Sequence, residues 1–136
     1  MLKTKLIINL SILLMILIIS ATACSKSKKE VPLLLNEVNS IEIFHGGAKE
    51  TVYTKDKDSE QIKEFMTAYN EANPADNSLG TTPNSEVIIN YANGEKVSVS
   101  GGSQNFQTVV KDNKQFNIQG DKLWDYFKQL NERFKS

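Results

Sequence analysis

The stretch EVIINYANGEKVSVS, residues 86–100, decides the fold. Val87, Ile89 and Tyr91 alternate with polar positions on the way out, and Asn93-Gly94 turns the chain. Val97 and Val99 then return with Lys96, Ser98 and Ser100 between them. An Asn-Gly pair flanked by alternating hydrophobics is the strongest short-range signal of a β-hairpin. A period of two with one apolar and one polar face calls for an antiparallel sheet that buries one side and leaves the other in water. Ile88 alone interrupts the alternation.

Downstream, Gly101-Gly102-Ser103 separates this hairpin from NFQTVVKDNKQFNIQ, residues 105–119. Here Phe106, Thr108 and Val110 alternate as the core-facing set, Asp112-Asn113-Lys114 forms the tip, and Phe116 and Ile118 return. Gly120-Asp121 ends the sheet, with Asp121 suited to cap a helix. From Lys122 to Phe134 the apolar residues Leu123, Trp124, Phe127, Leu130 and Phe134 recur at helical spacing, which assigns Trp124 and Phe127 to the core.

Upstream lies Glu71 to Ser85 (EANPADNSLGTTPNS), where Pro74, Gly80, Pro83 and three asparagines predict a long loop without a regular element. Loops of that length in small domains are commonly functional, and Leu79, its single large aliphatic residue, is a candidate partner contact. Before it, Ile62, Phe65, Met66 and Tyr69 form one stripe of a helix from Ser59 to Asn70. Lys63, Glu64 and Thr67 take the opposite side, and Asp58 with Gln61 matches a capping box. Earlier still, Asn39–His45 and Glu50–Lys55 read as two strands joined through Gly46-Gly47. Val31 to Val38 is apolar around Pro32 without a clear period.

The expected architecture is α+β: a two-layer domain with a mostly antiparallel sheet of five or six strands covered by two helices, in the order β-β-α-β-β-β-β-α. The other sheet face is expected to be polar, carrying Glu42, Asn90, Lys96, Ser98, Ser100, Lys111 and Asn117. Phe44 shares the side of Glu42, so it is a second candidate contact on that open face.

The chain begins with Lys3 and Lys5, a hydrocarbon run from Leu6 to Ile19, small residues Ser20 to Ala23, and then Cys24, the one cysteine present. Charged, apolar and small-residue zones in that order are the layout of an export signal. The run is short for a bilayer span, which needs roughly 20 residues. Ala21-Thr22-Ala23-Cys24 resembles a bacterial lipobox, with Ala21 where Leu is commonest, and Ser25-Lys26-Ser27-Lys28-Lys29-Glu30 follows as a polar tether. The layout is similar to that of small lipoproteins of Bacillus and related Gram-positive bacteria. That resemblance implies cleavage before Cys24, acylation of its thiol, and a lipid anchor on the extracytoplasmic face of the cell membrane. The expected organisation is a signal peptide over residues 1–23, a tether over 24–35 and one domain over 36–136.

Of 16 basic residues, Lys3 and Lys5 leave with the signal, so 14 face 16 acidic ones, a net charge of minus two. That balance gives no reason to expect a nucleic-acid partner. His45 is the single histidine; on a strand it lies on the opposite face from Glu42, three residues away, so the two do not converge on a metal. Ser98, Ser100 and Ser103 stand on no strand-to-helix elbow, and no phosphate-binding glycine motif occurs. No catalytic, cofactor-binding or metal-binding residue is assigned and no cofactor is expected. The reading is a membrane-anchored, non-enzymatic protein-binding or regulatory module, whose partners are the membrane, through acylated Cys24, and a membrane or cell-envelope protein. The alternatives are an inhibitor of an extracellular enzyme acting through the 71–85 loop, a binder of a small ligand or cell-wall glycan, and a hydrolase of unrecognised type.

Overall fold

A computed structural model describes residues 31–75, 84–101 and 105–135. In chain order these residues form β1 (Val38–His45), β2 (Ala48–Thr54), α1 (Ser59–Glu71), β3 (Asn73–Ala75), β4 (Ser85–Tyr91), β5 (Lys96–Gly101), β6 (Phe106–Lys111), β7 (Lys114–Gln119) and α2 (Asp121–Arg133). The strands make one antiparallel sheet in the order β2-β1-β4-β5-β6-β7-β3. The architecture is therefore the expected α+β one, with seven strands instead of five or six. The additional strand, β3, falls in the stretch read as irregular. Pro74 is tolerated there because β3 lies at the edge and pairs only with β7, so its missing N–H interrupts no ladder.

Both helices bury their stripes on one face of the sheet. Ile41, Ile43, Val87, Ile89, Val97, Val99, Val109 and Ile118 are fully buried on that face, against Ile62, Phe65 and Tyr69 of α1 and Leu123 and Phe127 of α2. Register explains the selection, because Ile41 stands opposite Tyr53 and Ile89, Val87 opposite Ile43 and Val99, and Val109 opposite Val99 and Phe116. Full burial of each such aliphatic side chain contributes about 1.5–3 kcal/mol. The core also takes in Val31 and Leu33, ahead of the expected start of the domain.

Four local expectations are corrected. In β6 the inward residues are Gln107 and Val109, while Phe106, Thr108 and Val110 face outward. A slip of one residue exchanges the faces of a strand, and here the pairing of Val109 between Val99 and Phe116 fixes the choice. Asp58 precedes α1, but its carboxylate accepts the Thr54 N–H at 3.0 Å and makes no cap bond to the helix. The cap of α2 is Gly120, where a β-carbon would meet Ala72 at 2.8 Å; Asp121 is instead the first helical residue and its carboxylate accepts a bond from the Asn105 amide. Trp124 is only half-buried, with the Lys128 ammonium over its ring. Tyr126, itself partly buried, packs against the core instead, its ring 5.2 Å from that of Phe65 and 6.2 Å from that of Phe127.

Candidate functional site: the outer face of the sheet

The face turned away from the helices is built by the residues that alternate with the core set. One line crosses the strands through Val52, Glu42, Ile88, Ser98 and Val110. The next runs through Phe44, Glu86, Ser100, Thr108 and Asn117. No described element lies over these lines: Val52 is 44% exposed and Val110 37%. Phe44, Ile88 and Phe106 each keep part of their surface. The face is mixed, with five large apolar side chains set among carboxylates, hydroxyls and amides.

Its polar groups are held in fixed positions. Ser98 Oγ donates to the Glu86 carboxylate, and Asn90 Nδ2 donates to Ser40 Oγ at 3.2 Å and to Glu42 Oε1 at 3.0 Å. Thr108 Oγ1 donates to Asn117 Oδ1 at 3.3 Å. The Lys49 ammonium pairs with Glu42 and also lies 5.5 Å from the centre of the Phe44 ring. The hydrogen bond from Lys49 holds the Glu42 carboxyl below the usual carboxylate range, helped by that from Asn90 and opposed by partial burial. Phe44 thus occupies the open face, as expected, but half-buried beneath a lysine.

A second cluster lies where β1 and β4 meet the end of α2. Ser85, 3% exposed, donates its hydroxyl proton to Asn131 Oδ1 at 2.7 Å, and His45 Nδ1 lies 2.8 Å from the same oxygen. A serine hydroxyl has one proton; with it directed at Asn131, the imidazole tautomer that carries its hydrogen on Nδ1 completes the second bond. Phe134 lies against His45 with ring centres 6.0 Å apart; Arg133 stacks over Phe134 and bonds the Tyr53 hydroxyl at 2.9 Å. The group fastens the carboxyl end of α2 to the sheet.

Concavities accompany these surfaces. A groove of ≈ 440 Å³ between the helices is lined by Lys63, Glu64, Thr67, Tyr126 and Gln129 among others, and burial pushes the Tyr126 hydroxyl upward in pKa. A cavity of ≈ 620 Å³ lies between the 31–37 segment and the β4–β5 turn, with Tyr91 and Lys111 in its wall. Among the described residues no group of three or more His, Cys, Asp and Glu side chains gathers in metal-binding geometry.

Of the residues singled out from sequence, Phe44 is on the open face, whereas Cys24 and Leu79 lie outside the described residues. Sequence reasoning missed Val52, Phe106 and Val110 as members of the face, and had only Ile88 among its aliphatic residues assigned to that side. The break in alternation at Ile88 was the available signal. Compared with known proteins, the chain matches no protein-family model, no curated protein and no solved structure.

Proposed function

We propose that this chain is a lipid-anchored, extracytoplasmic protein of the cell membrane whose single domain binds a membrane or cell-envelope protein through the outer face of its sheet, without catalysis. The anchor reading rests on the zones from Met1 to Cys24. The observation that carries the binding reading is the face itself: Phe44, Val52, Ile88, Phe106 and Val110 lie among polar groups pre-positioned by cross-strand hydrogen bonds. Apolar anchors surrounded by fixed donors and acceptors form the composition of a non-obligate interface, and side chains already locked in place lose little freedom on binding.

The experiment is position-resolved crosslinking in intact cells. A photoreactive amino acid at Val52 or Val110 should join the chain to one and the same protein, while the same group at Gln129, exposed on α2, should not. Equal crosslinking from all three positions, or none from the two on the sheet, would overturn the reading. A second reading, a binder of cell-wall glycan, is favoured by the row of Ser100, Thr108 and Asn117, which continues through Glu86 to Phe44. It predicts sedimentation with insoluble cell wall that is lost in Phe44→Ser.

A further inference from the structure

The segment that leads into the first strand is fastened tightly, yet it displays two leucines to water. Val31 and Leu33 are buried in the core. The side-chain amide of Asn70, near the end of α1, grips Leu33 on both sides: Oδ1 accepts its N–H at 3.0 Å and Nδ2 donates to its C=O at 2.8 Å. Immediately afterwards the chain turns, with the Glu37 and Val38 N–H groups donating to the Leu34 carbonyl at 3.0 and 3.2 Å. Leu34 and Leu35 ride on this turn at 48% and 41% exposure, with Val52 the most exposed large aliphatics among the described residues. Pro32 beside them is exposed as well.

The position of these leucines along the chain points to what meets them. Six residues, Ser25 to Glu30, lie between Cys24 and Val31. At no more than about 3.6 Å per residue, Leu34 lies within about 36 Å of Cys24 however the intervening chain runs. We infer that Leu34 and Leu35 contact the bilayer directly, so that the domain rests on the lipid surface instead of swinging from its tether. The inference builds on the lipid-anchor reading.

Charge around the turn makes the contact apolar in kind. Glu37 and Glu95 are balanced locally by Lys55, whose ammonium donates to the Asn36 carbonyl at 3.3 Å, and by Lys111, which lies 3.6 Å from Glu95. The folded side of the turn is thus close to neutral, and attraction to anionic headgroups belongs to Lys26, Lys28 and Lys29 of the tether and not to the leucine turn. Apolar side chains on a rigid support bury at the boundary of headgroup and acyl chain. The leucines sit at the ends of the strands, beside the β4–β5 turn, where the Ala92 N–H donates to the Glu37 carbonyl. Docking there stands the sheet on end and leaves its outer face open to the side.

The test uses the full chain, processed in bacteria and reconstituted in phosphatidylcholine vesicles with and without phosphatidylglycerol. Leu35→Cys is labelled with a polarity-sensitive fluorophore, with Gln129→Cys as the control. The expected result is a blue-shifted Leu35-site emission that is quenched by lipids brominated near the headgroup, protected from aqueous iodide, and unchanged by high salt or by phosphatidylglycerol. The Gln129 site should stay open to iodide. An iodide-accessible Leu35 site, a shift that depends on phosphatidylglycerol and vanishes in salt, or protection that tracks protein density on the vesicle would each overturn the inference, the last in favour of a second copy. Mass spectrometry of the amino-terminal peptide separates the two levels. An unmodified Cys24 overturns the anchor and the contact together, whereas an acylated Cys24 with a wet Leu35 site overturns only the contact.

Discussion

Gly101 on β5 stands opposite Gln107 on β6, and the ring of Phe127 occupies the space that a β-carbon at Gly101 would need, at 2.7 Å. Gln107 beside it is fully buried, and among the described residues neither atom of its amide has a hydrogen-bond partner. Leaving a buried donor and acceptor unmade costs about 1–3 kcal/mol each, while an apolar group of the same shape avoids that loss. Gln107→Met should therefore raise the unfolding free energy by about 1–3 kcal/mol. Gly101→Ala should lower it by a similar amount, because the Phe127 ring must move. Urea titrations of both variants check the pair, and a destabilised Gln107→Met would refute the account of this site.

Glu42 supplies an acid-sensitive contribution. Its carboxyl is held below the usual range chiefly by the Lys49 hydrogen bond, so the stabilisation is complete above the ordinary carboxylate pKa and fades as pH falls through the lowered value. Glu42→Gln should flatten the acid limb of the stability profile relative to the parent chain and leave the limb near neutral pH parallel to it. Denaturant midpoints over an acidic pH series provide the measurement. An unchanged acid limb would mean that the ion pair on the outer face is inert.

At the alkaline end the sign reverses. Burial first, and then Glu37 and Glu95, push the Tyr91 hydroxyl from 10.0 up to about 12. A raised folded-state value means that stability is whole below pH 10.0 and is lost as pH rises toward about 12. Tyr69 and Tyr126 are shifted in the same direction, mainly by burial. Tyrosinate absorbance from Tyr69, Tyr91 and Tyr126 should thus appear late and cooperatively with unfolding, and Tyr91→Phe should move the alkaline transition upward. An ordinary-range tyrosinate step in the folded protein that is lost in Tyr91→Phe would contradict this.

Ser85 joins His45 to Asn131 through a single oxygen. Ser85→Ala strands both partners, which should cost about 1–3 kcal/mol. It should also speed amide exchange selectively at the end of α2, where Phe134 N–H bonds the Leu130 carbonyl. Exchange rates at that amide, compared with those in α1, test whether the cluster is a local fastening.

Much of the fold was legible because it rests on periodicity. The hairpin over 86–100 and, Trp124 apart, the stripes of both helices appear where apolar spacing predicts them. The face of β6 was not legible, since Val109 and Val110 are adjacent valines and Phe106 outweighs Gln107 by residue type. Its register is set by β5 and β7, which are distant in any local window. The same error hid part of the candidate face, as Val110 and Phe106 were assigned to the core. β3 escaped because edge pairing tolerates a proline that local rules count as a breaker. The link from His45 to Asn131 spans three elements and leaves no trace in spacing.

The grip of Asn70 on Leu33 has a mechanical consequence. Tension along the amino-terminal segment is delivered first to α1, and so to the middle of the fold, before it can reach the end of β1. A drag on the molecule from its start would shear two short bonds together instead of peeling a strand one rung at a time. The globule would accordingly resist being unravelled from that direction.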